Sequence, residues 1–129
     1  MEKSVSQGIN LPNIIPIFPL EGVVMFPDTY LPLNIFEPRY LNMIDKAVST
    51  EDRLIGIIQP KKSKESYNKN AFYSVGCAGK IIKFEETDDN RYLITLKGIS
   101  RFNLISENTN EKKFKEASVV WKSFSKDLD

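Results

Sequence analysis

The sequence predicts a mainly β domain of the α+β class with one principal helix, and three observations support this. Residues 16–40 contain five of the seven prolines, interleaved with apolar residues. Proline interrupts helices, so this stretch is expected to form short extended pieces joined by bends. Helical spacing of apolar residues begins only after Glu37 and Pro38, which together form a helix-start signal. Several later apolar runs alternate with polar residues, which is typical of half-buried strands.

Length and composition indicate a single domain. The chain has 129 residues, of which 41% are hydrophobic, so it has room for one core. We expect the domain to cover residues 13–124, after a loose N-terminal arm at 1–12 and before a tail at 125–129. Ser125 with Asp127 is typical of a helix cap, so the tail is expected to begin a helical extension.

Charge and cysteine content restrict the partners and the compartment. The formal net charge is +1, so no strong field favours nucleic acid or an anionic membrane. The lone Cys77 has no intrachain disulfide partner, and the N-terminal residues do not resemble a signal peptide. No apolar run reaches the length of a membrane span. We therefore expect a cytoplasmic protein without a membrane partner.

The N-terminal half is expected to contain two or three short strands and the helix. Ile14 to Phe18 predicts a strand, and Glu21 with Gly22 suits a turn. Val23 to Phe26 is a second short apolar piece. Tyr30 to Ile35 is extended after a bend at Pro27 and Asp28, and Pro32 within it predicts a sheet edge or a bulge.

The helix is expected to run from Pro38 to about Val48. Proline suits the first helical position, and the carboxylate of Glu37 suits the positive end of the helix dipole. Tyr40 and Ile44 fall on the apolar face, so we expect both side chains to be buried.

The C-terminal half is expected to be strands and turns. Leu54 to Ile58 is a β-branched strand, and 61–70 is a polar connection that we expect to be mobile. Four further strands are expected, with Gly98 interrupting the pattern between the second and the third: Phe72 to Phe84, Arg91 to Ile99, Arg101 to Ile105, and a last strand carrying Ala117, Val119 and Trp121 at period two.

Several short motifs occur in an order that is specific to one family. They are FPL at Phe18 to Leu20, FEPRY at Phe36 to Tyr40, VGC at Val75 to Cys77, then Asp89, Arg91 and Tyr92, and finally Gly98, Arg101 and Phe102. Over roughly Ile14 to Trp121 the chain resembles the Lon N-terminal domain family, the substrate-binding part of the ATP-dependent protease La. Asn90 stands where the family usually has glycine, and asparagine also tolerates the left-handed conformation.

The resemblance implies a PUA-like pseudo-barrel of short mixed strands with the helix packed against it. It also implies a non-catalytic protein-recognition domain, here as a stand-alone member. Such a domain binds unfolded or exposed polypeptide segments, delivers them to a protease, or acts as an adaptor. The alternative is an RNA-binding module, which rests on the analogy of the PUA-like fold alone.

No catalytic, cofactor or metal site is expected. The sequence has no histidine, and Cys77 among small residues of a strand is better explained as a packed side chain than as a nucleophile. The acidic residues 85–89 lack the ligand spacing of a calcium loop. GCAGKI, from Gly76, lacks the spacing and the hydroxyl of a phosphate-binding loop, so we expect no ATPase activity. Without a convincing nucleophile set, we expect no peptidase activity either.

Five residues are candidates for partner binding. Met25, Phe26 and Tyr30 either form an adaptable protein-binding patch or close the core. Glu37 and Arg39 either engage an extended polypeptide or fix the start of the helix, and the structural role is favoured. The lysines at positions 61, 62 and 64, with Tyr67 nearby, are the basic cluster of an RNA-binding alternative, although a solvated loop explains them better.

Overall fold

The structure is a computed structural model that describes residues 4–6, 9–61 and 72–128. The lysines at positions 62 and 64, Tyr67 and most of the polar connection lie outside the described residues. Its strands are β1 (Ser4–Ser6), β2 (Ile9–Leu11), β3 (Ile14–Pro19), β4 (Tyr30–Ile35), β5 (Leu54–Ile58), β6 (Val75–Glu86), β7 (Tyr92–Thr109) and β8 (Lys115–Val120); its helices are α1 (Pro38–Ser49) and a C-terminal 3₁₀ segment, Lys122–Leu128.

A mixed sheet organises the domain, in the strand order β4-β7-β6-β5-β3-β8. β3 and β5 are parallel, and the other pairings of this sheet among the described residues are antiparallel. The C-terminal half of β7 also pairs with β8, so five of the strands close on themselves. β4 remains outside this ring as an edge strand. The expected mainly β fold with a principal helix is confirmed, as a pseudo-barrel rather than a clean barrel.

β7 is longer than the sequence predicts. We expected Gly98 to separate two strands, but β7 continues through Gly98 from Tyr92 to Thr109. Only the pairing register of β7 is interrupted. Its alignment with β6 shifts beside Gly79, and its alignment with β8 shifts around Ile105. A long antiparallel strand with such bulges can bend, so its two halves can pair with different strands of one sheet.

Other boundaries agree or differ in detail. β4 and β5 have the predicted bounds, and Pro32 lies on the edge strand as expected. Asn90 has a φ of 64°, so the predicted left-handed turn between β6 and β7 is confirmed. The apolar piece 23–26 does not form a strand, and the side chain of its Met25 packs in the core.

The helix begins at Pro38 as predicted, with Glu37 at the N-cap. Glu37 makes no capping hydrogen bond; its carboxylate accepts one from Arg39. Ile44 is fully buried, whereas Tyr40 is only partly buried at the rim of the core. The expectation of a fully buried Tyr40 is therefore corrected: it lies in the first turn, where the helix leaves the sheet.

Buried side chains in the described part of the chain form two clusters. One lies under α1 and includes Met25, Ile44 and Leu96. The other lies at the opposite end and includes Phe102 and Trp121. Ala117, Val119 and Trp121 all point into the core, as their period-two spacing predicts.

Both ends of the chain contain more structure than expected. The N-terminal segment was expected to be a loose arm, but residues 4–6 and 9–11 pair as an antiparallel ladder and Leu11 is buried. At the other end, the 3₁₀ segment begins at Lys122, before the expected cap at Ser125. Asp127 does not cap a helix; its carboxylate binds the guanidinium of Arg101.

Candidate functional site

A groove opens where the end of β3, the edge strand β4 and the start of α1 meet. Its volume is about 380 Å³. The end of β3 packs beside the first turn of α1, so residues of separate elements share the groove. Its walls carry mainly apolar and aromatic side chains, together with charged ones at the helix start; they include Phe18, Leu20, Leu33, Phe36, Tyr40, Glu37 and Arg39.

An aromatic pair forms one side of this groove. The rings of Phe18 and Tyr40 are 4.5 Å apart between centroids and inclined by 45°. Burial raises the pKa of the Tyr40 phenol, the charge of Arg39 acts to lower it, and the charge of Glu37 raises it. The phenol therefore stays protonated at neutral pH and keeps its hydrogen-bond donor.

Arg39 is held in place from two sides. Its Nε donates to Oε2 of Glu37 over 3.2 Å, and its guanidinium carbon lies 4.7 Å from the centroid of the Tyr40 ring. An exposed ion pair of this kind contributes little to stability. Together the two contacts nevertheless orient the guanidinium along the groove.

Phe36 lies between the edge strand and the helix and projects into solvent. Its side chain is 65% exposed, although it follows the buried Ile35 directly. A large aromatic side chain exposed beside an apolar groove is an available contact for another molecule. Phe36 thus extends the apolar wall of the groove outward.

The structure separates the five residues that the sequence suggested as one site. Met25 is only 6% exposed and packs in the core, so it closes the core rather than forming a surface. Phe26 and Tyr30 are 58% and 61% exposed, but they lie in the turn before β4 and at its first residue. At a rise of about 3.3 Å per residue, Tyr30 and Ile35 are about 16 Å apart along the strand.

Glu37 and Arg39 are the two predicted residues that line the groove. Sequence reasoning missed Phe18, Phe36 and Tyr40 as site residues. Phe36 could have been suspected, since it stands at a strand-to-helix junction inside the FEPRY motif, where the periodicity of neither element buries it.

Phe26 and Tyr30 are presented by an ordered turn. The Thr29 hydroxyl donates to the Phe26 carbonyl over 2.7 Å. The Asp28 amide donates to the Gly98 carbonyl, and the Gly98 amide donates to the Thr29 carbonyl, both over 2.8 Å. These bonds extend the pairing of β4 with β7 and fix the position at which Tyr30 enters the strand.

The backbone of β4 is poorly suited to adding another strand. Among the described strands, β4 pairs with β7 on one side and has no partner on the other. Since Thr29 bonds to β7, alternation places Tyr30, Pro32 and Asn34 with their backbone groups toward the free edge. Pro32 has no amide hydrogen to donate there, so side chains rather than main-chain pairing offer the better contacts.

The candidate nucleophile Cys77 and the GCAGKI segment lie in β6, away from the residues that line this groove. Burial, with a smaller contribution from the charge of Asp127, raises the pKa of the Cys77 thiol to about 12. GCAGKI lies within β6 rather than in a loop before a helix. Within the described ranges, no three His, Cys, Asp or Glu side chains converge as metal ligands. Neither helix in those ranges has the length and apolarity to cross a bilayer.

Comparison with known proteins identifies related sequences. The chain is 31% identical over 131 aligned positions to the Lon protease of Desulfosudis oleivorans, covering 89% of this chain and 16% of that protein. It is 30% identical over 93 positions to Lon protease 2 of Sorangium cellulosum, covering 71% of this chain and 12% of that protein. The chain therefore spans a small part of the curated relatives it matches.

Solved structures share the fold. A Lon N-terminal domain protein from Xanthomonas campestris superposes with a TM-score of 0.69 at 22% identity, covering 84% of this chain and 59% of that chain. The N-terminal domain of a Mycobacterium avium complex Lon protease superposes with a TM-score of 0.65 at 14% identity, covering 84% and 54%. The family model of the ATP-dependent protease La (LON) substrate-binding domain matches residues 14–128, and the chain belongs to this family.

Proposed function

We propose that this domain recognises exposed apolar segments of other polypeptides and does not itself catalyse a reaction. It would deliver such proteins to a protease in the cytoplasm or act as an adaptor. The observation that carries this proposal is the groove beside Phe36, an apolar site in a domain of a substrate-binding family.

The groove suits an apolar side chain of an extended segment. Phe18 and Leu20 on one wall and Phe36 at the rim offer apolar area, which gives binding that depends on contact and resists salt. Among the contacts of the described residues, Arg39 uses Nε for Glu37 and has its two terminal amino groups available. These groups could donate to main-chain carbonyls of the bound segment, whatever its sequence.

We assign energy-driven unfolding and peptide cleavage to a separate protease, to which this domain would deliver its bound polypeptides. The chain lacks a recognisable phosphate-binding loop, and its cysteine is buried with a raised pKa. Recognition without catalysis is therefore the role that these residues support.

The test is binding to a permanently unfolded protein, such as a reduced and alkylated one, measured by fluorescence anisotropy. Phe36→Ser should weaken binding roughly 30-fold, because loss of an aromatic anchor costs about 2 kcal/mol. Ile105→Ser is the matched control, since Ile105 is similarly exposed on β7 at the other end of the domain. Equal binding by both variants and the unaltered protein would refute the groove assignment.

A second pair of variants tests the far end of β4. Phe26→Ser combined with Tyr30→Ser leaves the buried Met25 intact, so the fold should be preserved. If this variant loses binding while Phe36→Ser retains it, the exposed end of β4 is the polypeptide site instead of the groove. Circular dichroism of each variant checks that the fold is unchanged.

The RNA-binding alternative gives a different result in the same titration. RNA binding through the lysines at positions 61, 62 and 64 would weaken steeply with salt, because phosphate contacts release counterions. If single-stranded RNA binds and replacing these lysines with alanine removes binding, the alternative function takes the place of polypeptide recognition.

A further inference from the structure

A second surface lies on the outer face of the sheet formed by β4, β7 and β6. Antiparallel register places cross-strand neighbours on the same face, and this face contains three successive rows. The rows are Tyr30–Lys97–Lys80, Pro32–Thr95–Lys83 and Asn34–Leu93–Glu85. We call these nine residues the lysine face.

In the described part of the chain, the three lysines of this face have no acidic partner within ion-pair distance. Among the described residues, the ion pairs involve other side chains, and none includes Lys80, Lys83 or Lys97. Lys80 and Lys97 are direct cross-strand neighbours. Like charges opposite each other destabilise a sheet, so this arrangement costs stability and gives no compensating contact within the described chain.

An open hollow of about 690 Å³ lies beside these lysines. Its lining on this face includes Pro32 and Leu93, together with the charged Lys83 and Glu85. Leu93 is an exposed large apolar side chain of this face, whereas strand alternation places Phe84 on the opposite face of the sheet. The face therefore combines positive charge with an apolar depression a short distance away.

We propose that the lysine face binds a segment of a partner polypeptide in which acidic residues flank an apolar one. Carboxylates would contact Lys80, Lys83 and Lys97, and the apolar side chain would contact Leu93 in the hollow. The complementary charge of the partner removes the repulsion between Lys80 and Lys97. This surface is distinct from the proposed groove and adjoins it at Asn34, which lines both the groove and the hollow.

The composition of the face favours a peptide over a nucleic acid. The rows contain no arginine, and Tyr30 is their one aromatic ring, whereas single-stranded nucleic acids are held by several stacked aromatics in a basic channel. The carboxylate of Glu85 lies in the third row and would repel phosphates. Glu85 would repel a carboxylate placed beside it as well, so the acidic residues of the peptide must lie toward Lys80, Lys83 and Lys97, with the apolar residue at Leu93.

The test compares two short fluorescent peptides by anisotropy. One carries Asp and Glu on both sides of a leucine, and the other carries Asn and Gln at the same positions. The acidic peptide should bind more tightly, and binding should weaken with salt because exposed charge pairs are screened. Equal affinity for the two peptides, or binding of neither, would refute the proposal.

Variants with matched charge locate the site. Lys80→Gln, Lys83→Gln and Lys97→Gln together should weaken binding of the acidic peptide roughly tenfold, since three screened charge pairs are lost. The control combines Lys112→Gln, Lys122→Gln and Lys126→Gln, which lower the net charge equally at exposed positions elsewhere. Equal loss in both variants would show a non-specific charge effect and overturn the assignment.

A charge reversal gives an independent readout if the triple variant folds poorly. Lys80→Glu with Lys97→Glu should reverse the preference, so that a peptide with lysines around the leucine binds better than the acidic one. Phe36→Ser should leave the acidic peptide bound, which separates this face from the groove. If a single-stranded RNA binds the lysine face more tightly than the acidic peptide does, the surface serves nucleic acid and the proposal is wrong.

Discussion

Gly98 of β7 lies directly against the main-chain carbonyl of Phe26. A Cβ atom at position 98 would come within 2.1 Å of the Phe26 carbonyl oxygen and 3.2 Å of the Cα of Pro27. The turn that presents Phe26 and Tyr30 can therefore pack on β7 only because residue 98 has no side chain. This contact also explains why a glycine occurs within a long continuous strand.

Gly98→Ala should destabilise the protein by roughly 1–3 kcal/mol, because the backbone of the turn must shift. Gly79→Ala is the comparison: its Cβ would meet Cβ of Leu96 at 3.0 Å and the flexible end of Met25 at 3.2 Å. Its cost should be smaller, since a methionine side chain can move aside. Urea denaturation of both variants measures the difference, and equal costs would contradict the explanation.

Trp121→Phe should cost about 1–3 kcal/mol, because a partly buried hydrogen bond is lost and the smaller ring leaves unfilled space in the core. The indole Nε1 of Trp121 donates to the carbonyl of Pro12 over 2.8 Å, and the side chain is buried. Tyr30→Phe, at an exposed aromatic, is the control and should change stability by less than about 0.5 kcal/mol. Thermal unfolding measures both, and similar values for the two variants would show that the indole hydrogen bond contributes little.

Asp127→Asn should release the C-terminal 3₁₀ segment from β7. The carboxylate of Asp127 accepts two hydrogen bonds from the guanidinium of Arg101 and one from its amide, each of 3.0 Å. Stability should fall, and hydrogen exchange of residues 122–128 should accelerate. Unchanged exchange in this segment would show that packing alone holds it.

The same pair predicts a pH dependence. The hydrogen bonds from Arg101 hold the pKa of Asp127 below its ordinary value of 3.8, although partial burial opposes them. A depressed pKa contributes stability that is complete above the unfolded value and is lost as pH falls through the folded one. The stability difference between the unaltered protein and Asp127→Asn should thus be constant near neutral pH and shrink below about pH 4.

The Cys77 thiol should be nearly inert in the folded protein. With a pKa of about 12, it is a thiolate in roughly one molecule in 10⁴ at pH 8, and it is also buried. An unfolded cysteine is about a quarter ionised at that pH. Labelling with a thiol reagent should therefore be at least about 100-fold slower in the native protein than in urea. Rapid labelling of the native protein would contradict the burial of this side chain.

The sequence by itself determined the elements whose signals lie within a few consecutive residues. Proline after Glu37 and the apolar spacing that follows predict the helix from Pro38, because the helix start and its buried face depend on residues within a few turns. Pro32 in the segment Tyr30 to Ile35 predicts a sheet edge or a bulge, because proline cannot donate a ladder hydrogen bond, and the structure has the edge strand β4 there. The motif order also identified the family.

Tertiary structure alone decided what these elements contact. Met25 and Phe26 are adjacent apolar residues, yet one is buried and the other exposed, because the turn packs on Gly98 of a distant strand. The groove needs Phe18 beside Tyr40, and the lysine face needs Tyr30, Lys97 and Lys80 in one row. Periodicity specifies which side of an element is apolar, but the register between distant strands depends on packing across the whole sheet.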